Sequence, residues 1–488
     1  MFEKIKELTK DTAIYGISTM VGRFFNFLLV PFYTNVFTTS EYGIAFLIYS
    51  YLAFLNIIYI YGMDAAFMKY SSTAANNDKA DMFSTPYLMV TLTSIVFSSI
   101  IILFRDSLSS AMNIPGSYSY ILSIIGIILI LDTLTLIPFA RLRLERKATK
   151  FAVIKTINII VNLSSNLILI LKFDFGIEAI FISNIIASGF SFIALLPEIM
   201  SKLNFSIKKQ VAVKMLRFGL PYLPASFASM IVQLIDTPIL DRLTNPATVG
   251  VYKANYKLGV FMMLFVSMFN YAWQPFFLNN AGEKNAKEIF SRVLTLFLIV
   301  SSFLWLILSL FIEDIATIQV WDGKTLIGHD YIGGLIIVPI ILLGYVFYGL
   351  YTNFTAGIYI EEKTKYFPYV TGLGAIINIV VNFTLIPVYG IIGAALATLA
   401  SYLCMAAGLY IVSQKFYRIN YEYRKIITLI LLLAVTIIAL YYIQLNFGLI
   451  LLHKIIIFAF FVAAIFLLRV INLTELRNTA EMIFSGKK

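Results

Sequence analysis

The stretch Pro31-Phe-Tyr-Thr-Asn-Val-Phe-Thr-Thr-Ser-Glu-Tyr-Gly43 has a counterpart in Pro238-Ile-Leu-Asp-Arg-Leu-Thr-Asn-Pro-Ala-Thr-Val-Gly250. Each runs from a proline to a glycine over the same separation, at the end of the first and the seventh apolar segment. A second pair lies further along, where Glu145-Arg-Lys-Ala-Thr-Lys150 matches Glu361-Glu-Lys-Thr-Lys365. After these come Asn166-Leu-Ile-Leu-Ile and Asn382-Phe-Thr-Leu-Ile, and Lys147 stands as far from Asn166 as Lys363 does from Asn382. Turn chemistry can produce any one of these matches, but together they point to a duplicated unit. If each copy crosses a membrane six times, the chain returns to its starting side. The copies are then parallel repeats about an axis along the membrane normal, an arrangement that places a substrate route between them.

Composition supports the crossing. The chain has 488 residues, of which 60% are hydrophobic and 13% charged. A soluble domain carries about 25% charged residues because its surface meets water, so this chain must meet hydrocarbon. A bilayer core takes roughly 20 apolar residues per helix. About 14 stretches qualify, near residues 13–36, 43–62, 86–104, 118–140, 151–171, 175–197, 215–240, 251–278, 289–312, 335–360, 366–387, 388–412, 426–445 and 449–468. The expected fold is an all-α integral membrane protein. Residues 1–212 and 213–412 form two six-helix lobes, and 413–488 holds two further helices and a tail. The first apolar stretch is long enough to span and lacks a small-residue cleavage site, so it is expected to be retained.

The net charge of +11 records topology. With the N-terminus inside, 28 of the 37 Lys and Arg fall on the cytoplasmic side, five on the other, and four within spans. By the positive-inside rule both termini are cytoplasmic. A basic balance in a soluble chain would suggest nucleic acid; here none is expected.

The runs Arg217-Phe-Gly-Leu-Pro-Tyr-Leu-Pro224, Tyr252-Lys-Ala-Asn-Tyr-Lys-Leu-Gly259 and Phe269-Asn-Tyr-Ala-Trp-Gln-Pro-Phe-Phe277 resemble polysaccharide exporters of the Wzx type. Thr39-Ser-Glu-Tyr-Gly43 and Gly62-Met-Asp-Ala-Ala-Phe-Met-Lys-Tyr70 agree. The resemblance extends over the whole chain and to the wider MOP superfamily, which also holds lipid II flippases and MATE-type antiporters. It implies a V of two six-helix lobes working by alternating access. The implied cargo is an oligosaccharide on a polyprenyl pyrophosphate, moved from the inner to the outer leaflet of a bacterial plasma membrane for surface polysaccharide such as lipopolysaccharide or capsule. Membrane lipids, a polymerase and other assembly proteins are the implied partners.

Ionisable residues within spans cost at least about 2.5–3.5 kcal/mol and need a partner or water. Arg23 lies about ten residues into the first helix, with no acidic residue between Asp11 and Glu41. A guanidinium suits phosphate, so Arg23 is read as gripping the pyrophosphate, against a structural ion pair. Lys253 and Lys257 share one helix face beside Tyr252 and Tyr256, as a cationic lining; for Lys253, snorkelling to headgroups competes. Lys155, Asn158, Asn162 and Asn166 form a polar stripe on the fifth helix, suited to sugar hydroxyls or to holding helices together. Arg217 joins the cationic set. Trp273 and Gln274, in a proline-bearing helix, offer a sugar-stacking surface or plain packing.

Asp132 is the deepest acid and is read as a proton or sodium site or as a partner of Arg23 or Lys155. Asp64 marks a cytoplasmic entry, and Asp236 with the Asp241-Arg242 pair an outer gate; solvated or interfacial roles compete. The coupling ion would be H+ or Na+, with no other cofactor. One cysteine, Cys404, and two histidines, His329 and His453, offer no metal set, and no glycine-rich phosphate loop occurs. The chain is therefore expected to be a transporter without catalytic residues. A MATE-like cation exporter is the first rival, disfavoured by Arg23. A glycosyltransferase or ligase is the second, disfavoured by the short loop near 313–334.

Overall fold

The computed structural model describes residue 22 and residues 27–72, 79–448 and 450–470. Among these, eleven helices are long and apolar enough to cross a membrane. A further pair, Lys209–Gly219 (α9) and Tyr222–Leu234 (α10), would make a twelfth if it crosses as one span bent by 40°. Two shorter apolar helices, Phe27–Val36 (α1) and Leu451–Leu467 (α19), coincide with the first and last expected stretches. Thirteen expected stretches thus find a helix or helix pair, and the first, of which residues 13–21 and 23–26 lie outside the described residues, holds α1.

The first half runs through α2 (Thr39–Ile60), α3 (Met63–Ser71), α4 (Lys79–Leu103), α5 (Arg105–Ala111), α6 (Tyr120–Leu144), α7 (Ala148–Phe173) and α8 (Glu178–Met200). After α9 and α10 come α11 (Asp236–Leu243), α12 (Pro246–Tyr256), α13 (Val260–Asn280) and α14 (Ala286–Ala316). A two-stranded hairpin, β1 (Gln319–Trp321) and β2 (Lys324–Thr325), precedes α15 (Val338–Ile360), α16 (Tyr366–Tyr389), α17 (Ile391–Phe416) and α18 (Tyr423–Phe447).

The chain divides into two compact units. The first gathers the described residues up to Val260 with Gln319–Gly334 and Thr371–Ser401. The second gathers Phe261–Ile318, Leu335–Val370 and the described residues from Tyr402. Helices α9 to α12 therefore join the first unit.

Within the first unit the repeat acquires a physical meaning. The Thr38 hydroxyl caps α2 and Glu41 returns a bond to the Thr38 amide, while Asn245 caps α12 ahead of Pro246. Each cap starts a helix just before the repeat glycine, and the two glycines meet. A Cβ on Gly43 would strike the Pro246 carbonyl, and one on Gly250 would strike the Thr39 carbonyl. Each glycine thus faces the carbonyl four residues before its partner, so α2 and α12 cross at backbone contact. Only small residues allow that approach. At the other ends of α2 and α10 the chain turns through Tyr61 and Gly62, both at positive φ, and through Leu220-Pro221. There Gly62 and Gly219 form a second crossing, with a Cβ on either meeting the other's backbone.

Near that second crossing an apolar core joins α3, α4, α6, α7, α8 and α9 through Phe67, Phe83, Ile137, Ile154, Leu195 and Met215. Over the first crossing lies the segment after the hairpin. Gly328 donates to the Thr34 hydroxyl at 3.1 Å, Asn35 to the Thr325 carbonyl at 2.7 Å, and Tyr331 to the Phe37 carbonyl at 2.8 Å. The second unit is held by aromatic packing, with Trp305 donating to the Pro339 carbonyl and Phe303 against Phe461 of α19.

Candidate functional site

Helix α11 breaks from α12 at Thr244 and Asn245, so the two pack side by side and bring Asp236 back to residues seventeen places on. Lys253 Nζ lies 3.0 Å from Asp236 Oδ1, and the Tyr252 hydroxyl donates to Oδ2 at 2.6 Å. Thr237 donates to Oδ1 at 3.2 Å. Both charged residues are buried, at 2% and 4% exposure. The expectations for Lys253 and Asp236 are corrected here. Lys253 neither lines a cavity as an open cation nor snorkels, because its charge is spent on Asp236 inside the protein, and Asp236 is the buried partner in that pair.

One turn on, Lys257 opens the short 3-10 turn Lys257–Gly259. Its ammonium lies over the Phe46 ring of α2, 5.3 Å from the centroid. It is half-buried, and no carboxylate among the described residues stands within ion-pair distance of it. Lys253, one turn before it, is paired with Asp236. Tyr252 and Tyr256 pack ring to ring below Lys253, at 5.6 Å.

A second polar group joins α2, α6, α7 and α8. Ser188 donates to Asp132 Oδ1 at 2.6 Å. Lys155 interacts electrostatically with Asp132 and lies 4.3 Å over the Phe139 ring. Asn184 donates to the Tyr49 hydroxyl at 2.8 Å, and Asn158 to the Ala187 carbonyl at 2.7 Å and the Ser191 hydroxyl at 2.9 Å. Asn166 donates to the Asn162 carbonyl and accepts from the Tyr33 hydroxyl at 2.7 Å. Asn158 and Asn166 are therefore helix-to-helix ties, the second of the two roles open to the stripe.

The other expected residues scatter. Arg23 lies outside the described residues. Arg217 is exposed in the last turn of α9. Trp273 is buried among Phe269, Phe277 and Phe290 and donates to the Asn353 carbonyl at 3.2 Å, which is the packing role of the two open to it; Gln274 beside it is exposed. Asp64 faces Arg143 at 3.9 Å, a helix-end pair. Asp241 is buried and accepts from Asn113 at 2.6 Å, and Arg242 is exposed. Sequence reasoning missed the network at the basic end, where Arg141 meets Glu145 at 2.6 Å and Glu198 takes Lys150 at 2.8 Å. The Glu145-to-Lys150 run was the available signal. An open pocket of about 760 Å3 lies over the caps of α2 and α12, but Asp330 is its charged residue and it suits no anion.

A family model described as "Polysaccharide biosynthesis protein" matches residues 35–311. No protein of curated function matches the chain. Among solved structures, the lipid II flippase MurJ in an inward closed conformation aligns at a TM-score of 0.72 and 17% identity, covering 93% of this chain and 98% of that one. A mutant of the Vibrio cholerae MATE transporter VcmN aligns at 0.57 and 13%, covering 85% and 96%. A MOP superfamily transporter from Pyrococcus furiosus, whose binding pocket is described as reversed in polarity, aligns at 0.55 and 12%, covering 83% and 95%. These likenesses establish the fold, and the family match spans more than half of the sequence. This multi-pass membrane protein belongs to the polysaccharide biosynthesis protein family, on the fold of MOP-superfamily flippases and transporters.

Proposed function

We propose that the protein is a flippase that carries a polyprenyl-pyrophosphate-linked oligosaccharide from the inner to the outer leaflet of a bacterial plasma membrane, with both termini cytoplasmic. The observation that carries this reading is Lys257, a half-buried cation without a carboxylate partner among the described residues, set beside an ion pair that already neutralises its neighbour. An unpaired cation inside an apolar helix pair costs free energy in the resting protein, and an anionic cargo repays it. A pyrophosphate is such an anion, and the polysaccharide family and the flippase fold support it. Residues 1–212 and 213–412 would be the lobes that alternate. A proton or sodium ion could be coupled through the Asp132 and Lys155 group. Arg23 would be the second cargo cation. A MATE-like exporter of cations is poorly served by Lys257.

The test is transfer of a fluorescent polyprenyl-pyrophosphate oligosaccharide between leaflets in vesicles holding the purified protein. Wild type should move it, while Lys257→Gln should slow transfer at least tenfold and Lys257→Arg should retain it. Equal rates in wild type, Lys257→Gln and empty vesicles would remove the reading.

A further inference from the structure

We infer that the corner formed by α3 and α9 is a binding site for the phosphoryl headgroups of anionic phospholipids on the basic side of the membrane. The inference does not depend on the cargo. From residue 199 to residue 235 the chain contains no acidic residue but carries Lys202, Lys208, Lys209, Lys214 and Arg217. On α9, Lys209, Lys214 and Arg217 share a helix with two faces. Met215 and Gly219 are buried against the rest of the first unit, whereas Lys209, Lys214 and Arg217 are exposed, as is Lys208, which faces Asp81 at 3.9 Å. Large apolar side chains are exposed beside them: Phe205 at 86%, Val213 at 55% and Leu220 at 45%. Apolar groups and lysines exposed together at the end of a membrane-spanning unit describe a helix lying in the headgroup layer.

The site is built rather than loose. The segment leading into α9 is pinned to the end of α4, because the Asn204 amide donates to the Ser84 hydroxyl at 2.7 Å and the Lys208 amide to the Thr85 hydroxyl at 3.2 Å. The Gly62–Gly219 crossing fixes the other end of α9 against α3. Between these anchors Lys69 Nζ sits 4.0 Å over the Phe218 ring, and Lys214 Nζ sits 4.4 Å over the Tyr70 ring. Tyr70 and Phe218 meet edge to face at 5.7 Å. Two ammonium groups from two helices are thus held on adjacent rings, and neither has a carboxylate within ion-pair distance among the described residues. Ring faces hold the cations in place without neutralising them, so both keep their attraction for a phosphodiester. The complementary partner is the acidic headgroup of the leaflet into which Phe205, Val213 and Leu220 would reach.

The experiment is native mass spectrometry of the full-length protein with phosphatidylglycerol and phosphatidylcholine added in equal amounts. Wild type should retain the anionic lipid preferentially. The triple variant Lys69→Gln/Lys214→Gln/Arg217→Gln, which keeps most of each side-chain stem, should lose that preference, each cation being worth about fivefold near an acidic surface. Lys287→Gln/Lys415→Gln/Arg418→Gln removes the same charge elsewhere and should leave the preference intact. Circular dichroism melting of both variants confirms that they are folded. No preference in wild type, an unchanged preference in the first variant, or an equal loss in both would each overturn the inference.

Discussion

Replacing Gly250 by alanine should part α2 from α12. The added Cβ points at the Thr39 carbonyl oxygen, a backbone atom that cannot rotate away, and Gly43 faces Pro246 in the same manner. To reach ordinary contact the helices must separate by on the order of 1.5 Å along this line, which forfeits a quarter or more of the dispersion well for every facing atom pair. Overpacking of this kind costs about 1–3 kcal/mol, while alanine regains about 0.5–1 kcal/mol of helix propensity. The net loss for either single variant is therefore about 1–2 kcal/mol. The double variant Gly43→Ala/Gly250→Ala should cost little more than one single, because once the helices have separated the second Cβ finds room. Gly189, on α8, has nothing near its would-be Cβ, so Gly189→Ala should keep the propensity gain and serve as the control. Thermal unfolding in detergent, followed by circular dichroism, measures all four. Strict additivity of the two seam variants, or a seam variant as stable as Gly189→Ala, would refute backbone contact at the crossing.

The buried pair predicts a rescue: Lys253→Met leaves Asp236 uncompensated and should cost about 3–5 kcal/mol, while Lys253→Met/Asp236→Leu should recover most of it; a double variant no better than the single would show that the charge is not the cause. Tyr33→Phe strips the Asn166 side-chain Oδ1 of its phenol donor and should destabilise by about 1–3 kcal/mol, with Asn166→Leu adding little to it in a thermal double-mutant cycle. Glu145 and Lys147 lie in the connection between α6 and α7. Burial raises the Glu145 carboxyl, but hydrogen bonds from Lys147 and Arg141 outweigh it and hold the group below the usual range. The bond to Glu145 holds the Lys147 ammonium above its usual range. A lowered carboxyl stabilises above its unfolded pKa and loses this as pH falls through the folded value; a raised ammonium stabilises below its unfolded pKa and loses this as pH rises through the folded value. The pair's contribution should thus be flat through neutrality and fade below about pH 4 and above about pH 10. A melting-temperature difference between wild type and Glu145→Gln that changed between pH 6 and pH 8 would contradict the assignment.

Hydropathy makes the helices of this chain legible, because a span must satisfy its own backbone and show lipid an apolar surface whatever its neighbours are. Partners are another matter. Lys253 stands near a span end in sequence, and its carboxylate becomes visible only once the break at Thr244 and Asn245 folds α11 beside α12. Trp273 has its acceptor eighty residues on, at Asn353. Spacing could offer the proline beside that indole, but not the ring of phenylalanines that closes over it. The asparagine stripe on α7 was visible as a stripe; which face it turns to α8 depended on Ala187 and Ser191, residues with no signal of their own.

The two copies of the repeat separate what holds the protein from what it acts with. Where they agree, the residues are structural. Gly43 and Gly250 make one crossing, and Asn382 donates to the Asn378 carbonyl at 2.8 Å as Asn166 does to Asn162. Where they differ, charge enters. The spacing that maps Gly43 onto Gly250 maps Leu29 onto Asp236, Phe46 onto Lys253 and Ser50 onto Lys257, so the first copy is neutral at all three places and the second is ionic. A duplicated fold does not need that ion pair to close, because its first copy closes without one. Asp236 and Lys253 cancel each other, and of these three places the one charge left over is at Lys257, laid on the Phe46 ring of the neutral copy. Stability alone gives no reason to keep there a cation with no carboxylate beside it among the described residues, whereas the proposed anionic cargo would.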